Sequence, residues 1–302
     1  VLEKKSRTQL HEELLAQFAR AASFPEKMDA LRKFKYTEEI RIGLMDLRKV
    51  LSPQDTMLHL STIADLCVEG ALLMARGELE PRFGSAMKKE PLKKERDERE
   101  AEFGVVAVGK FGSSEITYGS DLDLFFIYSD EGQTTGPQIV SNHEYFSQLA
   151  SKLVSALTII TREGSVFKID TRLRPAGSKG PLAQPLETFE RYMEQDSSVW
   201  ELQAMTRARM TAGNPEFRER FIKVCHRILF PPSPRPDLAR EIYQMRKRML
   251  EEVSKEDAFS YDIKVGRGGI VDIEFIAQYF LLSEGGRHPL LRETHTWNVL
   301  KN

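Results

Sequence analysis

Apolar residues recur every three to four positions through the first eighty residues of the chain. Leu10, Leu14, Leu15 and Phe18 take the i, i+4, i+5, i+8 places of one helical face, and Ile40, Leu44, Leu47, Val50 and Leu51 repeat the pattern. Ser52-Pro53 supplies a stop and a new N-cap, with proline at the first helical position. Another striped helix is expected from Met57 to Met74. Residues 8–80 therefore read as helical, and no strand pattern competes there.

The texture changes at residues 81–100. Lys88, Lys89, Lys93, Lys94 and Arg96 alternate with Glu90, Glu95, Asp97, Glu98 and Glu100, and no apolar stripe runs through them. That composition predicts a solvated linker or loop. Phe103 to Val108 is then a short apolar run ending in Gly109, which predicts a buried strand. Leu122 to Tyr128 and Val166 to Leu173 predict two more. Between these two lies a helix from His143 to Ile160, with Phe146, Leu149, Leu153 and Leu157 in one stripe. After Pro175, helices are expected over 186–195, 198–208, 215–229, 236–253 and 270–283. The proline-rich run from Pro231 to Pro236 interrupts them.

Composition narrows the class. The 302 residues are 29% charged with a net charge of −1. This balance describes an ordinary soluble globule and gives no support for nucleic acid or an anionic membrane as partner. No apolar run reads as long enough to span a bilayer, and Val1 to Lys5 has no apolar signal core. Cys67 and Cys225 match no metal-ligand spacing and read as reduced core thiols of a cytoplasmic protein. The chain begins with Val and stops in a helix-forming stretch at Leu300-Lys301-Asn302, so a fragment of a longer protein is expected. The changes in texture suggest a helical region with its charged linker over 1–100, a catalytic domain over 101–212 and a helical bundle over 213–302.

The candidate chemistry centres on Gly119-Ser120-Asp121-Leu122-Asp123-Leu124. Strand side chains alternate between faces, so Asp121 and Asp123 share one that excludes Leu122, Leu124 and Phe126. Two carboxylates roughly 7 Å apart can bridge a pair of Mg²⁺ ions about 3.5–4 Å apart. Gly119 permits close backbone approach to phosphate oxygens, and Ser120 adds a hydroxyl. The upstream segment Gly109-Lys110-Phe111-Gly112 contains glycine but lacks the Walker spacing. In Lys168-Ile169-Asp170-Thr171-Arg172-Leu173-Arg174, the polar set Asp170, Arg172 and Arg174 alternates with apolar positions. A third carboxylate would complete a two-metal site, with arginines to take up phosphate charge. The competing reading makes Asp170 an ion-pair partner of Arg172 or Arg174, or these arginines partners of Glu190 or Glu201. A second glycine-rich basic loop, Lys264 to Gly269, opens a helix at Ile270. It can bind an anion or simply pack over the sheet. Asp272 and Glu274 suit the dipole of that helix. Trp200 and Phe275 read as core.

Several of these segments resemble one family. Gly109-Lys110-Phe111-Gly112 with Glu115 and Gly119 to Leu124 is similar to the glutamine synthetase adenylyltransferase/adenylyl-removing enzymes. So are Asp170 to Pro175 with Gly180-Pro181-Leu182, Trp200 to Ala204 with Arg207-Ala208-Arg209, Asp262 to Phe275, and the helical Phe34 to Leu47 stretch with Arg41 and Asp46. The resemblance spans about residues 30 to 300. It implies an α+β, polymerase-β-like nucleotidyltransferase domain, a small mixed sheet with flanking helices, with helical bundle regions before and after it. The family's members carry two related halves. One attaches AMP from ATP to a tyrosine of glutamine synthetase, and the other removes it by phosphorolysis. This chain looks like a single half. Tyr118 to Asp123, Thr206 to Arg209 and Ile270 to Tyr279 are closer to the transferring half, whereas Lys264 to Gly269 looks more like the removing half.

By carry-over onto matching positions, the resemblance implies that Asp121, Asp123 and Asp170 hold two Mg²⁺ ions. It likewise implies that Gly109, Lys110, Gly119, Ser120, Arg172, Arg174, Lys264 and Arg267 meet the nucleotide. ATP is then the substrate, glutamine synthetase the partner, and a PII-type signal protein a regulator. Rival readings are deadenylylation, nucleotidyl transfer to another protein or a small molecule, and a catalytically silent nucleotide- or partner-binding module. The three aspartates argue against the last.

Overall fold

A computed structural model describes residues 3–89, 100–177, 180–231, 235–256 and 259–302. Helices α1 (Arg7–Ala19), α2 (Phe24–Leu47) and α3 (Pro53–Phe83) open the chain. Each starts on a serine whose side chain accepts a first-turn N–H: Ser6, Ser23 and Ser52. Ser6 and Ser52 form full capping boxes with Gln9 and Asp55. The boundary expected at Ser52-Pro53 is therefore present.

α1 buries Leu10, Leu14 and Phe18 but leaves Leu15 exposed. α2 departs further from its sequence pattern. Its buried face holds Met28, Leu31, Phe34, Ile42 and Met45 together with Arg32, Lys35, Glu38 and Arg41. Ile40, Leu44, Leu47 and Val50, read as its apolar stripe, are exposed. The buried charges are tolerated because they are paired. Glu38 receives Arg41 at 2.6 Å and Lys5 at 2.9 Å, and Arg32 donates to four backbone carbonyls, Gly164, Met28, Ala156 and Ile159. α3 corrects another expectation, since by length and composition it could cross a membrane. However, 61% of its most apolar window is buried inside the protein, as befits a central core helix.

The segment read as a linker contains strand β1 (Ala86–Lys88), which pairs antiparallel with β4 (Gly132–Thr134), and Glu100 bridges to Met87. Residues 90–99 lie outside the described residues. Next come β2 (Phe103–Ala107), the single turn α4 (Gly109–Gly112), β3 (Leu122–Tyr128), α5 (Asn142–Thr158), β5 (Ile169–Asp170) and β6 (Ala183–Pro185). α6 (Leu186–Gln195), α7 (Val199–Met205), β7 (Arg209–Ala212) and α8 (Pro215–Leu229) follow. The chain then runs through α9 (Leu238–Glu252), α10 (Ile270–Glu284), a 3₁₀ turn at Pro289–Leu291 and α11 (Thr296–Lys301). The main sheet is mixed, in the order β5-β3-β2-β7, with β6 also on β3. β2 is antiparallel to β3 and β7, whereas β5 and β6 run parallel to β3. The class is α+β, as expected.

The sheet separates two cores. Leu122, Leu124, Phe126 and Tyr128 of β3 join the core formed with α1, α2, α3 and α5. Phe125 and Ile127 join the core formed with α6 to α11. Asp121 and Asp123 share the parity of this second set, at the end where β3 begins.

Two elements differ from the sequence reading. The third strand is two residues long, because the chain turns at once: the Arg174 N–H donates to the Thr171 carbonyl, and the Gly177 N–H to that of Arg174. Asp170, Arg172 and Arg174 therefore do not line one strand face. The helix expected to reach residue 208 stops at Met205, and Arg209–Ala212 is an edge strand instead.

Candidate active site

β3 and β5 place the carboxylates. In their parallel pairing Leu122 lies opposite Ile169 and Asp123 opposite Asp170, and Asp121 stands exposed just before β3. Asp123 is partly buried, and no hydrogen bond or ion pair reaches its carboxylate among the described residues. Burial first, then the charges of Asp170 and Asp121, push its pKa up to about 6, against the pull of Arg172 and Lys264. Asp170 goes the other way. The Arg172 guanidinium donates to both its oxygens, from Nε at 3.0 and 2.9 Å and from Nη2 at 2.5 Å, and holds the carboxyl below its usual range.

Gly109 makes room for Asp123. It adopts φ +57°, and a Cβ there would overlap Asp123 Oδ2. The Val108 N–H also donates to the Asp123 carbonyl at 3.0 Å. Gly112 lies so close to the Arg207 carbonyl that it too has no space for a side chain. Arg209 fixes this turn from β7: it donates to the Phe111 and Gly112 carbonyls and forms a bidentate pair with Asp65 of α3, both bonds 2.9 Å.

The turn before β3 holds itself together. Gly119 has φ +72° with open space beside it, and Ser120 Oγ accepts from the Thr117 N–H at 3.0 Å. Lys110 is partly buried, and its ammonium has no partner among the described residues. Lys264 is exposed, with its charge felt at Asp123.

Other residues named from the sequence serve the framework. Arg174 donates to the Thr171 and Gly180 carbonyls and shapes the loop after β5. Arg267 is exposed, and its carbonyl accepts from the Tyr261 hydroxyl. The Lys264–Gly269 loop is braced from within the fold. Asp262 Oδ1 accepts from the Lys264 and Val265 N–H groups, and Arg246 donates to the Val265 and Gly266 carbonyls and to Asp272. Asp272 thus has a specific partner beyond the helix dipole. Glu201 accepts from Tyr192, Ser198 and the Ala176 N–H, and Glu190 pairs with Arg227.

Sequence reasoning missed Asp65 and the partners of Asp46 and Glu115. Asp46 accepts from the Tyr118 hydroxyl at 3.1 Å. Glu115 accepts from Thr296 at 3.1 Å, while Arg207 reaches Thr296 and Glu274 at 2.7 and 3.2 Å. Glu115 and Arg207 stood in the quoted motifs, but their partners lie far away in sequence.

Among the described residues, no group of three or more His, Cys, Asp or Glu side chains is gathered closely enough to enclose a metal ion. Arg172 occupies Asp170 instead. The donor set still suits a hard divalent cation: a partly buried carboxylate without a donor, a second opposite it and a third two residues before.

A sequence model of the glutamate-ammonia ligase adenylyltransferase family matches residues 2–224. The chain belongs to that family. Residues 243–300 also match the family described as PII-uridylyltransferase. Among curated relatives, the bifunctional glutamine synthetase adenylyltransferase/adenylyl-removing enzyme of Mannheimia haemolytica is 35% identical over 87% of this chain and 27% of its own length. The enzymes of the same name from Hahella chejuensis and Shewanella loihica are 34% and 33% identical, over 93% and 88% of this chain and 30% and 28% of their own lengths. The chain thus spans between a quarter and a third of each of these relatives.

Proposed function

We propose that the chain is a cytoplasmic adenylyltransferase with a polymerase-β-like core. It moves AMP from ATP to a tyrosine of glutamine synthetase and so regulates nitrogen assimilation. The observation that carries this reading is the rung that sets Asp123 opposite Asp170, with Gly109 clearing the space beside Asp123. The relatives' names support the choice of AMP and of acceptor. Asp121, Asp123 and Asp170 are the residues that would hold two Mg²⁺ ions. When bound, these ions stabilise charge on the transferring phosphoryl group and acidify the attacking hydroxyl.

The chain's own groups do the rest. Lys110 and Lys264 offset the charge of the triphosphate, and the turn at Gly119-Ser120 receives its oxygens. Arg172 exchanges Asp170 for a phosphate oxygen, to which a guanidinium binds in the same forked fashion. Freed of Arg172, Asp170 has an oxygen open to accept the proton of the tyrosine Oη, a group of ordinary pKa near 10. The bond from Oη to the α-phosphorus forms as the bond to the leaving pyrophosphate breaks.

Incubation with Mg²⁺, α-labelled ATP and unmodified glutamine synthetase tests this. Label on a synthetase tyrosine, absent with Asp123→Asn, supports the reading. Bound ATP with no label transferred overturns it and leaves a silent binding module. Lys264 supports a second reading, because its charge reaches Asp123 from the loop that looks like the removing half. ADP released from adenylylated synthetase and phosphate would assign the reverse direction. The match over residues 243–300 supports a PII-type signal protein as a further partner of that region.

A further inference from the structure

α2 buries one apolar face, Met28, Leu31, Phe34, Ile42 and Met45, as a surface helix does, but it leaves a second row of apolar residues in solvent. Ile40, Leu44 and Leu47, at i, i+4 and i+7, are exposed to 64, 43 and 83%, and Tyr36 extends the row. Contiguous exposed apolar surface of this kind marks an interaction site.

The row borders the candidate active site. The Tyr36 hydroxyl donates to the Ser165 carbonyl at 2.7 Å, in the segment that leads into Asp170. Asp46 accepts from Tyr118, three residues before Asp121. One helix is thus tied to both segments that deliver the carboxylates, with Ile40 and Leu44 between the ties and Leu47 directly after the second. Just beyond its C-terminal end, Arg48 and Lys49 are exposed, with no carboxylate partner among the described residues.

We propose that this face of α2 is where the protein acceptor docks, through an apolar patch edged with carboxylates beside the hydroxyl to be modified. The inference rests on AMP transfer to a protein. A small acceptor needs no such surface. A folded acceptor must be held while one side chain reaches the aspartates, and α2 is bonded to the segments that lead into them from both strands. The basic pair at its end selects an acidic border on the acceptor.

The test compares the full chain, Ile40→Ser with Leu47→Ser, Arg48→Glu with Lys49→Glu, and Asp123→Asn. Binding to immobilised unmodified glutamine synthetase, binding of ATP and sedimentation are measured for each. Both α2 double variants are expected to lose at least tenfold in affinity for the synthetase while ATP affinity stays within twofold. Asp123→Asn should keep synthetase binding. Synthetase binding equal to the unmodified chain's in both α2 variants overturns the proposal, as does a parent chain that does not bind the synthetase. A parent dimer that the α2 variants dissociate also overturns it and gives the face to a second copy. Synthetase binding lost in the α2 variants, from a parent chain that transfers no label, upholds the docking face and strikes only the proposed reaction.

Discussion

Asp123 and Asp170 face each other across one rung of the parallel β3–β5 pair, and their surroundings drive their acidities apart. Burial and two neighbouring carboxylates raise Asp123 to about 6, while Arg172 lowers Asp170. Without a cation, the site thus holds one carboxyl poised near neutrality and one locked in an ion pair.

That asymmetry fixes a pH dependence of stability in the metal-free protein. The folded pKa of Asp123 lies above the ordinary aspartate value of 3.8, so its ionisation favours unfolding. The penalty is absent below about pH 4, grows as pH rises towards 6 and is complete above it. Asp123→Asn removes it. Urea denaturation should find this variant more stable than the parent by about 1–3 kcal/mol at pH 8 and equal to it near pH 4. A stability gain of the same size at both pH values would show that charge is not its source.

Arg172 competes with any cation for Asp170. Arg172→Ala should therefore tighten Mg²⁺ binding by the nucleotide-free protein severalfold, because Asp170 loses the guanidinium that occupies both its oxygens. The same variant should slow transfer by about 10–100-fold, through loss of a donor to the phosphates. Calorimetry with Mg²⁺ and a single-turnover assay separate the two effects. A weaker Mg²⁺ affinity would contradict the competition.

Gly109→Ala tests the space beside Asp123. The new methyl group would overlap Asp123 Oδ2 at a φ of +57°, so the turn or the carboxylate must move. The left-handed backbone alone costs about 1 kcal/mol, and transfer should fall more than 100-fold because the carboxylate is displaced. Activity close to that of the parent chain would mean that the carboxylate does not need its present place.

Local patterns make part of this legible in the sequence alone. Phe103 to Val108 and Leu122 to Tyr128 read as strands because their apolar runs are buried between two helical layers, and the α5 stripe from Phe146 to Leu157 is the face that α5 buries. α2 was misread because periodicity reports which residues are apolar, not which face meets the core. Its inward charges are satisfied by Lys5 and by carbonyls more than 100 residues away. The third strand was overextended because alternation in Asp170-Thr171-Arg172-Leu173-Arg174 imitates a strand while the backbone turns. Asp121 and Asp123 could be named from their motif. The partners that set the turn, Asp65 for Arg209 and Asp46 for Tyr118, come from distant helices, and no local spacing announces them.

Arg32 should prove one of the most sensitive positions away from the carboxylates. It is fully buried, and burial pulls its pKa down, yet its guanidinium spans Met28 of α2, Ala156 and Ile159 at the end of α5, and Gly164 beyond it. A helix end leaves its last carbonyls without intrahelical partners, and here a buried cation supplies them. Arg32→Met removes an expensive buried charge but strands several acceptors in the core. At about 1–3 kcal/mol for each unsatisfied group, the loss should outweigh the relief, giving a net destabilisation of roughly 3 kcal/mol. Arg32→Lys keeps the charge but not the forked reach, so it should rescue little of that loss. Because the segment after α5 leads into Asp170, hydrogen exchange should rise first at residues 159–169. A Met variant as stable as the parent, with unchanged exchange there, would mean that the carbonyls find other partners and that Arg32 does not hold this end of the site in place.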